Sequence, residues 1–151
     1  MKENGLTAYC GLYCGDCIRY GCKASDLADE LLHEVRRVSF AEYANVKKIH
    51  TKAFGDFDAF IETLNAISQI KCDTPCRLGG DGCGGSCSIK ACVNSKLIDG
   101  CWECDTFEHC EKLYFLKPFH GDGPVNNLME IRRHGLAGWA RYRDKCYPWI
   151  K

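Results

Sequence analysis

The sequence predicts a small, mainly α protein whose helices alternate with irregular, cysteine-rich, metal-binding loops of the zinc-knuckle kind. Three observations predict it. Eight of the thirteen cysteines fall in the 39 residues from Cys72 to Cys110, and four more between Cys10 and Cys22. The cysteine-free stretch 23–71 carries helical periodicity and helix-capping residues. Residues 72–87 hold Gly79, Gly80, Gly82, Gly84 and Gly85 and show no period at all. At 151 residues one domain is expected over 1–151. It reads as an N-terminal cysteine knuckle (10–22), a helical insertion (25–70), a central cysteine-rich segment (72–117) and a C-terminal helical segment (118–151).

In the first segment, Cys14 and Cys17 bracket Gly15-Asp16, a turn-prone dipeptide that can aim two thiolates at one ion. Within 23–71, Ser25 is the expected cap of a first helix, with Leu27, Leu31, Val35 and Val38 as its apolar stripe. Ser39 and Glu42 form a capping-box pattern for a second helix that Gly55 stops. Asp56 then caps a third, whose Phe57, Phe60, Ile61, Leu64 and Ile67 make the clearest amphipathic pattern in the chain. After the glycine loop, Ser88 is the expected cap of a helix that Gly100 ends. Asp105 and Glu108 resemble a capping box for another helix, reaching Lys117 before Pro118. Pro124 suits the first turn of a last helix carrying Val125, Leu128 and Ile131. Gly135 interrupts it, and Leu136, Trp139 and Tyr142 continue its apolar face.

Composition narrows the function classes. Formal net charge is zero, so no global field draws the chain to nucleic acid or anionic membrane. No apolar run approaches the ~18 residues of a membrane span. No signal-peptide pattern opens the sequence, so the reducing cytoplasm is the expected location. Clustered cysteines there read as metal ligands rather than disulfides. The odd cysteine count points the same way.

Tetrahedral zinc takes four donors, with sulfur at about 2.3 Å. The x2 turns Cys14/Cys17 and Cys101/Cys104 each supply two. Cys110 fits with Cys101 and Cys104, and Cys92 or Cys87 is available from the preceding helix. Zinc is therefore the expected cofactor, with an iron–sulfur cluster as the alternative, since thiolate-only sites suit both. Cys10-x3-Cys14-x2-Cys17 matches radical SAM spacing, but that catalytic core needs about 200 residues of alternating strands and helices, which this chain lacks. A thioredoxin-like role for Cys101-Trp-Glu-Cys104 lacks its βαβ context.

Two further groups could carry chemistry. His120 and Asp122 are candidate acid–base residues, against the plainer reading that Asp122 caps the following helix. Arg132, Arg133, Arg141 and Arg143 are candidate nucleic-acid contacts beside Trp139 and Tyr142. A solvated basic face is the simpler account, and no tight nucleic-acid binding is expected.

The segments CGLYCGDC, CGGSCSIKAC, GCWECDTFEHCEKL and HGDGPVNNLMEIRRHGL together resemble domain of unknown function 3795, an uncharacterised prokaryotic family. The resemblance implies a small, cysteine-rich, metal-binding protein without an assigned activity. Cys10, Cys14, Cys17, Cys76 or Cys83, Cys87, Cys92, Cys101, Cys104 and Cys110 stand at positions matching the family's cysteines. Cys72 and Cys22 are further ligand candidates on this chain's own pattern, and Cys146 stands apart. The resulting expectation is a binding or adaptor module with structural metal and a protein partner. A redox protein, or a small enzyme using His120 and Asp122, is the alternative.

Overall fold

The computed structural model describes residues 3–83 and 85–150, so Gly84 of the glycine loop lies outside the described residues. The α-helices are α1 (Ile18–Gly21), α2 (Ala24–Arg37), α3 (Phe40–Lys47), α4 (Phe57–Gln69), α5 (Ser88–Lys96), α6 (Lys117–His120) and α7 (Gly123–His134). Short 3-10 turns join them, and no strand forms among the described residues beyond one isolated bridge, Thr7 to Tyr13. The protein is thus mainly helical. The chain divides into two compact units, Met1–Gly21 with Cys72–Lys151, and Cys22–Lys71.

The second unit packs α2 against α4. Its buried residues on α2 are Ser25, Ala28 and Leu32; Ala28 and Leu32 cluster with Leu64, with Ile61 and Ile67 half-buried beside them. This corrects the expected stripe. Leu27 is 60% exposed, and Leu31 and Val38 are also exposed. The face that carries Ala28 and Leu32 is the one that packs with Leu64 of α4. Leu31 and Val35 line an open apolar groove with Phe40, Phe54, Phe57 and Phe60. Ser25 does not cap α2; it lies inside the helix, and Lys23 occupies the cap position. Ser39 does precede α3, but in the left-handed region (φ 50°) and without a side-chain cap bond. That helix ends at Lys47, ahead of a 3-10 turn over Lys52–Asp56 that includes Gly55.

The first unit is built around Trp139, Phe107, Leu128, Ile131, Ile89, Val93 and Trp102. The largest correction falls on 106–117. Instead of one α-helix, the chain makes two 3-10 turns, Phe107–His109 and Glu111–Leu116, with Cys110 extended between them (φ −77°, ψ 113°). Phe107, Leu113 and Leu116 are buried together by this path. Pro118 opens the short α6 rather than stopping a helix. Cys87, not Ser88, caps α5, its sulfur accepting the Lys90 N–H at 3.5 Å. Leu97 in the left-handed region closes that helix before Gly100 is reached. Gly100 has another use. A Cβ there would stand 2.2 Å from the Trp102 indole, so its missing side chain lets Trp102 fold back into the core. Likewise Gly11 (φ 84°) admits the Pro124 carbonyl at a distance a Cβ would forbid. The face expected after Gly135 is a 3-10 turn, Trp139–Tyr142. It buries Trp139 completely and leaves Tyr142 exposed.

Candidate metal centre

The two CxxC segments fold alike. In each, the N–H of the second cysteine returns to the carbonyl of the first, Cys17 to Cys14 at 3.1 Å and Cys104 to Cys101 at 3.0 Å. The second cysteines have nearly the same backbone angles, φ −85°, ψ 122° at Cys17 and φ −84°, ψ 125° at Cys104. Each turn therefore holds two sulfurs on one side.

Around Cys101-Trp-Glu-Cys104 a cavity of about 190 Å³ opens, lined by four thiols, those of Cys92, Cys101, Cys104 and Cys110. Cys92 comes from α5, and Cys110 from the extended residue between the two 3-10 turns. The remaining wall is largely apolar, with Ile89, Val93, Ile98, Phe107 and Leu113. Two ammonium groups reach the sulfurs, Lys96 to Cys104 at 3.3 Å and Lys112 to Cys92 at 3.6 Å. Burial, then the neighbouring Cys110 and Cys104 sulfurs, pushes the Cys101 thiol up to about 12. Cys104 moves the other way. The backbone N–H of Thr106, the Thr106 hydroxyl and Lys96 all favour its thiolate. Among the described residues no three Cys, His, Asp or Glu side chains come together tightly enough to hold one metal ion. The four sulfurs surround a space rather than meeting at a point.

A second group of thiols, those of Cys14, Cys17, Cys72, Cys76 and Cys83, lines a smaller cavity of about 40 Å³. Burial, then Cys76 and Cys17, raises Cys14 to about 12. Cys83 is exposed as a whole residue and lines the cavity, and burial of its thiol, then Cys17 and Cys76, raises it too. Cys10 has Cys83, Cys76 and Cys101 as neighbours, and burial, then those thiols, raises it well above the ordinary thiol range. Cys87 is a neighbour of both groups, adding to the rise at Cys76 and at Cys101. Cys22 is exposed at the start of the second unit, where its sulfur accepts the Ala24 N–H at 3.2 Å.

The other candidates have separate engagements. His120 Nδ1 lies 2.9 Å from the Cys146 carbonyl and its ring meets Tyr147 edge-on. Asp122 pairs with Lys117 at 3.1 Å in solvent. The two are thus tethered apart rather than to each other. Of the four arginines, Arg132, Arg133 and Arg141 are exposed and Arg143 is half-buried. Arg143 grips Asp16 of the first turn through both carboxylate oxygens, at 2.6 and 2.7 Å, with its guanidinium 4.6 Å from the Tyr13 ring centre. Arg132 donates to the carbonyls of Trp102 and Cys104, at 2.9 and 3.1 Å, and stacks on Phe107. Arg133 pairs with Glu130 on the surface. Arginines from the C-terminal segment therefore brace both cysteine turns. No local pattern announces that role, because each brace spans many residues of sequence. Lys96 was legible in principle. It follows Cys92 by four residues, the spacing that places two side chains on one helix face.

Cys146 packs on the α7 start, its Cβ 2.2 Å from where a Gly123 side chain would begin. Burial, then Asp144, raises its thiol to about 11. Cys146→Ser is expected to keep the full metal content. The sign of its pH effect follows from the raised pKa. The folded state favours the neutral thiol, so this contribution is present below the unfolded value of about 8.5 and fades as pH rises towards 11. Melting measured from pH 8 to 11 should show the wild type losing stability relative to Cys146→Ser across that window.

No helix among the described residues is long and apolar enough to cross a membrane. Comparison with curated proteins and with solved structures gives no match. The sequence profile of Protein of unknown function (DUF3795) matches residues 6–115, which takes in both cysteine groups and stops short of the C-terminal HGDGPVNNLMEIRRHGL stretch. The matched residues include twelve of the thirteen cysteines, all but Cys146, and both CxxC turns, and the chain belongs to the DUF3795 family.

Proposed function

We propose that Cys92, Cys101, Cys104 and Cys110 ligate an iron–sulfur cluster and that the protein transfers single electrons through it. One observation carries the reading: four thiols stand around a cavity of about 190 Å³ instead of converging. Tetrahedral zinc at 2.3 Å per bond needs sulfurs about 3.8 Å apart. A sulfide-bridged cluster is larger and takes its four cysteines at spread corners. The charge pattern supports the same reading. Four thiolates and a cluster leave excess negative charge, and Lys96 and Lys112 sit where they offset it. Hydrogen bonds to the ligating sulfurs and solvent exposure set the reduction potential of such a centre. Thr106 and Lys96 at Cys104 are the groups that would do so here.

The test is an anaerobic preparation of the full chain. Brown protein with iron and acid-labile sulfide, and a broad visible absorption that bleaches with dithionite, is the expected result. Colourless protein holding stoichiometric zinc would overturn the reading and return the site to a structural role.

A further inference from the structure

We infer that Cys14, Cys17, Cys76 and Cys83 form a second metal centre, one that takes a thiophilic metal through sulfur independently of the cavity among Cys92, Cys101, Cys104 and Cys110. The inference rests on reading the Cys101/Cys104 turn as a ligand turn, and extends it by structural equivalence. The Cys14/Cys17 turn has the same closing hydrogen bond and the same angles at its second cysteine. Each turn is braced by an arginine from the C-terminal segment, Arg143 at the first and Arg132 at the second. Each cavity also has a cation in its wall, Arg19 in the smaller and Lys96 in the larger.

The remaining ligands come from the glycine loop. Cys76 opens the 3-10 turn Cys76–Leu78, and Cys83 lies beyond Gly79 and Gly82, both of which have positive φ. Arg19 donates to the Cys83 carbonyl, which ties that loop to the N-terminal segment. Five thiols line this cavity, but the Cys72 sulfur is directed at the Thr74 carbonyl, 3.5 Å away. The other four are those of Cys14, Cys17, Cys76 and Cys83, which line the space without converging on one point, as do the four at the larger cavity. Apart from Arg19 the wall is mostly apolar or aromatic, with Ala8, Leu12, Pro75 and Tyr147. A loop with so few side chains to pack gains its order most directly from a shared ion. At about 40 Å³ against about 190 Å³, this cavity is the smaller of the two.

The experiment counts metal per chain by mass spectrometry, on full-length protein expressed anaerobically with iron and zinc both supplied. The variants are Cys14→Ser/Cys17→Ser, Cys83→Ser and Cys101→Ser/Cys104→Ser. The wild type should hold metal for two centres. Cys14→Ser/Cys17→Ser should lose one centre's metal and keep the absorption of the other, and Cys101→Ser/Cys104→Ser should do the reverse. Cys83→Ser guards against misfolding, because its residue is exposed on a loop. It should lose the same metal as the first pair with unchanged helical circular dichroism. Wild-type metal content in Cys14→Ser/Cys17→Ser or in Cys83→Ser overturns the second centre. That failure is distinct from failure of the iron–sulfur reading, which would show as zinc in place of iron and sulfide at the Cys101/Cys104 site.

Discussion

Cys101→Ser is expected to empty the larger centre and to destabilise the first unit more than any other single cysteine change. The backbone of the turn does not depend on the thiol. The Cys101 N–H donates to the Tyr9 carbonyl at 3.0 Å, and Arg132 holds the carbonyls of Trp102 and Cys104. Serine keeps those bonds and nearly the same volume, so what is lost is the metal. In small zinc modules metal binding contributes on the order of 10 kcal/mol to folding. If only a third of that stabilises this unit, about 3 kcal/mol disappears. For a chain of this size that corresponds to a fall in Tm of about 10 °C. Metal analysis and thermal melting on the same samples check it. A Cys101→Ser protein with wild-type metal and Tm would remove Cys101 from the ligand set.

Trp139→Ala should be the most damaging change away from the thiols. Trp139 is 0% exposed and meets Tyr13 edge-on with ring centres 5.9 Å apart. Its Nε1–H donates to the Thr7 hydroxyl at 2.9 Å, and Thr7 is itself buried. Truncation leaves a large cavity, a change that costs about 3–5 kcal/mol in well-packed cores. Trp139→Phe separates the parts. It retains most of the packing and removes the hydrogen bond, leaving the Thr7 hydroxyl without that donor at a cost of about 1–3 kcal/mol. Urea denaturation should therefore place Trp139→Phe between the wild type and Trp139→Ala. Because Tyr13 precedes the Cys14/Cys17 turn, Trp139→Ala should also loosen metal at that turn while leaving the larger centre's absorption intact. Equal stability of Trp139→Phe and the wild type would show that the hydrogen bond contributes nothing.

The C-terminal arginines show why side-chain roles escape a local reading. From sequence alone Arg132, Arg133, Arg141 and Arg143 make a basic stretch. In the structure Arg132 and Arg143 point at backbone and carboxylate groups of the cysteine turns. Their partners lie 28 and 127 residues away, beyond any periodicity. The helical face of α2 carries the same lesson. Leu27, Leu31, Val35 and Val38 make the evident apolar stripe, yet it is Ala28 and Leu32 that are buried, because the neighbouring helix decides which face is covered.

What the sequence determined by itself is whatever depends on a few adjacent residues. Phe57–Gln69 and Gly123–His134 are helices because apolar side chains recur at helical spacing, and Pro124 and Gly135 mark the ends of the second. The two CxxC segments are tight turns because two residues between cysteines leave little other path. Tertiary structure alone decided how the thiols group. Cys14 and Cys17 share a cavity with Cys76 and Cys83 across more than fifty residues, and Cys92 joins Cys101, Cys104 and Cys110 only because Leu97 ends α5 and turns the chain back. It also decided that 106–117 is not one α-helix. A continuous helix would carry Cys110 in helical geometry, whereas burying Phe107, Leu113 and Leu116 together requires the extended residue at Cys110 that brings its sulfur to the cavity. Local propensity favours the helix there, and packing of the whole unit outweighs it.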